Sequence, residues 1–210
     1  MSELTLYGEA SWTSPWVFHA MVALEEKRLP YTLEVFEMPL TPAQRDLLVK
    51  RALVGKVPML AHGAFGITES LAISEYLAER FPAPAHPRLF PADLAERARA
   101  RQVMSFLRTS LAALREARPT TSIFGRPVHT PLSDKARADA SELVRFASAV
   151  VTSKASMFEA WCIADADLAL ALMRLVANGD PVPPLLADYA LAQFQRPSVA
   201  KYISNFPTQR

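Results

Sequence analysis

The sequence predicts an α/β domain followed by an all-helical one. Three observations predict it. Up to Arg80, short β-friendly runs alternate with capped helical patterns. Pro82, Pro84, Pro87 and Pro91 then crowd one short stretch, which sets a stiff, extended connection. From Asp93 onward the periodicity is helical throughout. The expected division is a first domain over 1–81, a proline-rich linker over 82–92 and a helical domain over 93–210.

Leu4 to Tyr7 is a short apolar strand, which Gly8 is expected to end. Ser14-Pro15 is a strong helix start. The serine caps, and the proline stands where its missing N–H costs nothing. That helix is expected to reach about Lys27, with Val17, Met21 and Leu24 on one face. Tyr31 to Phe36 alternates as a second strand. Thr41-Pro-Ala-Gln44 is a capping box opening a helix to about Lys50. Val57 to Ala61 and Phe65 to Thr68 read as two more strands around the His62-Gly63-Ala64 turn. Ser70 then reads as the N-cap of a helix running from Leu71 to about Arg80. The expected unit is βαβαββα, with its first strand pair parallel and its last antiparallel.

In the second half, Asp93 caps a long helix expected to reach about Glu116. A loop covers Pro119 to Pro131, and Ser133 opens another helix. Trp161 to Ala177 is strongly apolar and ends at Asn178-Gly179, a C-cap signal. Pro184 to Gln195 and Ser198 to Asn205 complete the set.

The stretch from Val54 to Ser70 carries the most chemistry. Pro58 cannot donate to a sheet, so it belongs at a strand start or in a special turn. A cis Val57-Pro58 bond would turn the backbone groups of Val57 away from the sheet, where a ligand can pair with them. Glu69 adds a carboxylate and Ser70 a helix start. A peptide-like ligand suits this combination, and so does an ordinary hairpin packed on a helix.

Composition narrows the classes. The chain has 210 residues, half of them hydrophobic, with a net charge of +2. The basic excess is too small to argue for nucleic acid, and no run is long and apolar enough to span a membrane. Cys162 is the one cysteine, so disulfide frameworks and cysteine zinc clusters are excluded. The histidine spacing offers no metal site, and no cofactor is expected. The N-terminus lacks the pattern of a signal peptide, and a lone thiol suits a reducing compartment, so a cytoplasmic location is expected.

Taken together, the small α/β domain, the proline linker and the helical domain resemble the cytosolic glutathione S-transferase family. Val57-Pro58 matches that family's cis-proline motif and Glu69-Ser70 its glutamate-serine pair. Trp161-Cys-Ile-Ala-Asp165 looks like its helical-domain capping motif, and Arg196-Pro197-Ser198 like its last-helix start. Ser14-Pro15, the Trp161 run and Arg115-Glu-Ala-Arg118-Pro look closest to the bacterial YfcF-type transferases. The resemblance implies a thioredoxin-like first domain, glutathione as substrate, and a homodimer. It places an active hydroxyl at the start of the first helix. Ser14 is the expected residue, with Ser11, Thr13 and Tyr7 as rivals.

Glutathione is an anionic tripeptide whose thiol must be acidified from roughly 8.5 toward neutrality. A hydroxyl donor at a helix N-terminus does this. The backbone of Val57 would pair with the cysteinyl part of glutathione. Glu69 and Ser70 would hold the γ-glutamyl end, and Lys56 would reach the glycyl carboxylate. The expected electrophile pocket draws on Trp12, Trp16, Arg115, Arg118 and Phe124. The resulting activity is attack by the thiolate on an electrophilic carbon or a peroxide oxygen. A glutathione-disulfide oxidoreductase and a non-catalytic binding protein of the same fold are the alternatives. Asp165 is expected to serve folding, and Cys162 to be a buried small hydrophobe.

Overall fold

The computed structural model describes residues 3–207. The chain divides into two compact units. One holds the chain up to Leu89 together with the segment from Lys201, and the other is Phe90–Ala200.

The first unit is built on four strands, β1 (Leu4–Glu9), β2 (Thr32–Phe36), β3 (Met59–His62) and β4 (Phe65–Thr68), in the order β2-β1-β3-β4. β1 and β2 are parallel, and the β1–β3 and β3–β4 pairs are antiparallel. Three helices cover the sheet: α1 (Pro15–Glu26), α2 (Pro42–Ala52) and α3 (Ser70–Arg80). Side chains alternate across a strand, so each face has its own partners. Tyr7, Met59 and Ala61 pack with Leu48 and Ala52 of α2. Gly8 faces the other way, toward Val17 of α1. α1 packs beside α3.

Gly8 does not end β1, which continues to Glu9. A Cβ at Gly8 would stand 3.0 Å from the Val17 side chain, so the missing side chain lets α1 lie close on the strand. Gly66 serves the other face, where a Cβ would meet the Arg51 carbonyl oxygen at 2.6 Å.

The segment from Lys201 joins the first unit through specific contacts. The Tyr202 ring lies edge-on to Trp12 and to Phe18, with centroids 5.5 and 5.2 Å apart. Lys201 pairs with Glu25 at 2.7 Å.

The second unit is helical: α4 (Leu94–Thr109), α5 (Ala112–Ala117), α6 (Thr121–Phe124), α7 (Asp134–Val150), α8 (Ile163–Val176), α9 (Pro184–Phe194) and the start of α10 (Pro197–Ile203). The single helix expected from Asp93 to Glu116 is broken at Ser110-Leu111, where Leu111 takes a φ of 62°. Beyond the break the Arg115 guanidinium returns to the end of α4. Its Nη1 donates to the carbonyls of Leu107 at 2.9 Å and Ser110 at 2.5 Å. A cation on those terminal carbonyls also complements the negative end of the helix dipole. The short α6 falls inside the stretch read as a loop.

α8 is the central helix of this unit. Every residue from Ile163 to Leu175 is buried, and α4, α6, α7 and α9 pack around it. Its first turn is held by Asp165, whose carboxylate accepts the amides of Cys162 and Met157 at 2.9 Å. The hydroxyls of Ser156, at 2.9 Å, and Tyr189, at 2.7 Å, complete the set. Cys162 is buried beside it, and burial pushes its thiol far above the usual range. No helix among the described residues is long and apolar enough to cross a membrane.

Candidate functional site

One end of the sheet gathers the residues that the chemistry needs. The β1–β3 register ends at Tyr7–Met59, two residues after Val57 in the chain and two before Glu9, where the loop to α1 begins. The β3–β4 register ends at Met59–Thr68, two residues after Val57 in the chain and two before Ser70, at the start of α3. The loop before α1, the Val57 segment and the start of α3 therefore all adjoin one end of the sheet.

Ser14 caps α1 from an extended conformation, with Pro15 as the first helical residue. Its Oγ accepts the amides of Trp16 and Val17, both at 3.3 Å. Those bonds use oxygen lone pairs only. The hydroxyl proton goes to no acceptor among the described residues, which leaves it able to donate outward. The Ser14 carbonyl accepts the Tyr202 hydroxyl at 3.0 Å. Burial and the Glu9 charge push the Tyr202 phenol far above the usual range, so it stays a donor at neutral pH.

The rival hydroxyls are otherwise engaged. Ser11 donates to the Glu9 carboxylate, and the Ser11 and Thr13 hydroxyls are hydrogen-bonded at 3.0 Å. Tyr7 is buried in the sheet–α2 core, with its oxygen accepting from Arg51 at 3.0 Å.

The Val57-Pro58 bond is cis. Among the described residues the Val57 N–H and C=O enter no ladder, turn or cap hydrogen bond. Pro58 is buried and Val57 half-buried, while Lys56 is exposed. Ser70 is the first helical residue of α3, not its cap as expected. Glu69 holds the cap position with φ 65° and ψ 110°, and its side chain makes no cap hydrogen bond. A glutamate at positive φ is strained, and such outliers cluster at ligand sites. The strain holds an exposed carboxylate beside the positive end of α3.

Trp12, Arg115 and Arg118, expected to line an electrophile pocket, make contacts within their own units. Trp12 is buried against Tyr202. Arg115 closes the end of α4. Arg118 is buried and makes a two-pronged ion pair with Asp180, at 2.6 and 2.9 Å. Arg115 and Arg118 therefore supply internal contacts, because guanidinium donors match carbonyl and carboxylate acceptors nearby. Trp16 and Phe124 are half-buried, in the first and second unit respectively. No group of three or more His, Cys, Asp or Glu among the described residues is placed to hold a metal.

Two sequence-family models match the chain: "Glutathione S-transferase, N-terminal domain" over residues 13–80 and "Glutathione S-transferase, C-terminal domain" over residues 93–206. The chain belongs to the glutathione S-transferase family. A solved glutathione transferase homologue from Burkholderia, with bound glutathione, is 34% identical. The match covers 96% of both chains with a TM-score of 0.77. A theta class glutathione S-transferase from Xanthomonas axonopodis pv. citri, with glutathione bound, is 25% identical. That match covers 97% of this chain and 98% of the other, with a TM-score of 0.70. Glutathione S-transferase U13 from Arabidopsis thaliana is 38% identical over 93 residues, which is 43% of this chain and 39% of that protein. The chain thus aligns with about two fifths of the length of that curated relative. As a glutathione S-transferase family member it has the mixed four-stranded sheet with covering helices, followed by the helical domain.

The sequence reading missed Glu9. Its carboxylate, 4% exposed, takes the amides of Thr13 and Ser14 at 2.7 Å each. The signal was present as hydroxyl residues at Ser11, Thr13 and Ser14 just downstream of an acid.

Proposed function

We propose that this chain is a glutathione-dependent transferase or peroxidase that activates the glutathione thiolate for attack on an electrophilic carbon or a hydroperoxide. The observation that carries this reading is the Ser14 hydroxyl. It caps α1 with its lone pairs and keeps its proton for a thiolate at the helix N-terminus. The two cap donors also polarise the O–H, which makes it a better donor.

Glutathione lies across the end of the sheet described above. Its cysteinyl backbone pairs with the Val57 N–H and C=O as an added strand. The γ-glutamyl carboxylate sits on Ser70 and the N-terminus of α3, and Glu69 takes the amino group. Lys56, exposed on the same segment, takes the glycyl carboxylate. Trp16, two residues beyond Ser14, belongs to the electrophile side. The bound glutathione in the Burkholderia and Xanthomonas proteins supports the ligand. A homodimer in the cytoplasm is part of the same proposal. The exposed Leu47, Val49, Leu53 and Phe65 support an apolar subunit contact, and the lone buried Cys162 suits a reducing compartment.

Calorimetric titration tests the ligand. Saturable binding below millimolar glutathione is expected, and no heat at millimolar glutathione contradicts the proposal. Rates on aryl halides, epoxides and hydroperoxides then sort transferase from peroxidase. Glu69→Ala is expected to raise the glutathione KM about tenfold with kcat nearly unchanged, because it removes one charged anchor and no group at the sulfur. An unaltered KM removes Glu69 from the anchor.

A further inference from the structure

The loop that carries Ser14 is wrapped around a single carboxylate. Glu9 ends β1 and turns inward. One of its oxygens, Oε1, accepts the amides of both Thr13 and Ser14 at 2.7 Å, and Oε2 takes the Ser11 hydroxyl. The Trp12 amide closes the turn on the Glu9 carbonyl at 3.4 Å, with Trp12 at φ 55°. Tyr202 meets the same stretch from the other side through the Ser14 carbonyl. Ser14 is therefore held at its N–H by Glu9 and at its C=O by Tyr202. Bonds from neutral donors to an ionised carboxylate are roughly twice as strong as neutral ones, so Glu9 is the firmest of these ties.

We propose that Glu9 is a positioning residue for the thiolate site, one that aims the Ser14 hydroxyl and also limits how acidic the bound thiol becomes. This rests on Ser14 as the thiolate's donor. The aim comes from geometry, since a cap hydroxyl points where its own backbone is fixed. The limit comes from charge. Glu9 takes two amides next to the helix end, and its negative charge opposes a second one on sulfur. The groups facing it are Ser11, Thr13, Ser14 and Tyr202, and the last supplies a neutral phenol. Glu9 thus trades some thiol acidity for a fixed hydroxyl.

Two substitutions separate the parts. Glu9→Gln keeps an oxygen for the two amides and removes the charge. The pH profile of kcat and the thiolate absorbance of bound glutathione are expected to shift to lower pH by about one unit, with the glutathione KM within about threefold. Glu9→Ala removes the acceptor as well. It is expected to lower kcat at least about tenfold, because a displaced hydroxyl loses its alignment. It should also speed amide exchange at Thr13 and Ser14. A purely structural carboxylate moves neither the pH profile nor the kcat-to-KM split, so wild-type profiles in Glu9→Gln or a shift to higher pH overturn the proposal. Ser14→Ala in the same series tells the two readings apart. Impaired Ser14→Ala with unaltered Glu9 variants removes Glu9 alone. Unimpaired Ser14→Ala with shifted Glu9 variants removes Ser14 as the donor and leaves Glu9 as the residue that sets thiol acidity.

Discussion

Ser14→Ala is expected to lower kcat by about a hundredfold at neutral pH, the usual effect of removing one donor from a developing or stabilised anion. The glutathione KM should change by no more than about threefold, because the anchoring groups lie on Val57 and at the start of α3. The pH profile should move to higher pH, since the bound thiol then ionises nearer its free value of about 8.5. Ser14 also caps α1, so alanine should cost about 1 kcal/mol of stability, measured by urea denaturation. The two roles separate in Ser14→Gly. Glycine caps nearly as well as serine and has no hydroxyl, so it should keep stability to a few tenths of a kcal/mol and lose activity as alanine does. Activity tracking stability across the pair would show that Ser14 only caps.

Asp165→Ala is expected to destabilise the protein by about 3–5 kcal/mol, with the midpoint of urea denaturation as the measure. The reason is what the carboxylate leaves behind. The Cys162 and Met157 amides are buried, point at it, and cannot turn elsewhere. The Ser156 and Tyr189 hydroxyls are also aimed at it, though hydroxyls can rotate. Stranding two amides costs about 1–3 kcal/mol each. Asp165→Asn keeps one oxygen and should lose roughly half as much, since its amide nitrogen then faces a donor. Neither change should alter the pH profile of kcat, because Asp165 serves α8 and no reacting group. A change of less than about 1 kcal/mol in Asp165→Ala would contradict the role assigned to the carboxylate.

How much was legible in the sequence depended on how local each signal is. Helix starts were readable where one side chain does the work. Thr41 and Gln44 form the full reciprocal box, and Asp93 and Ser133 each accept the amide three residues on. Strand pairing followed from the order of elements, including the parallel β1–β2 pair. Features set by tertiary contact were not readable. The break at Leu111 depends on Arg115 folding back on α4, while the sequence there continues a helical pattern. Gly8 read as a stop because glycine usually punctuates, and its use here is the close approach of Val17.

The candidate site divides in the same way. Ser14-Pro15, Val57-Pro58 and Glu69-Ser70 were visible as motifs because each carries a rigid or capping residue. The positive φ of Glu69 was not visible, since no glycine or asparagine marks it. Glu9 was missed because a glutamate in a loop normally reads as a solvated charge, and its donors are loop amides with no sequence signature. Arg115 and Arg118 show the same limit: the sequence marks two cations, and tertiary contact sets their acceptors, the α4 carbonyls and Asp180.

The central claim is that Ser14 stabilises the thiolate of bound glutathione. Its most direct test is the ultraviolet absorbance of that thiolate, titrated with pH in the glutathione complexes of the wild-type protein and Ser14→Ala. The account predicts a wild-type midpoint at least one unit below the free value of about 8.5, and a Ser14→Ala midpoint returned most of the way to it. Coincident titrations in the two proteins would contradict it.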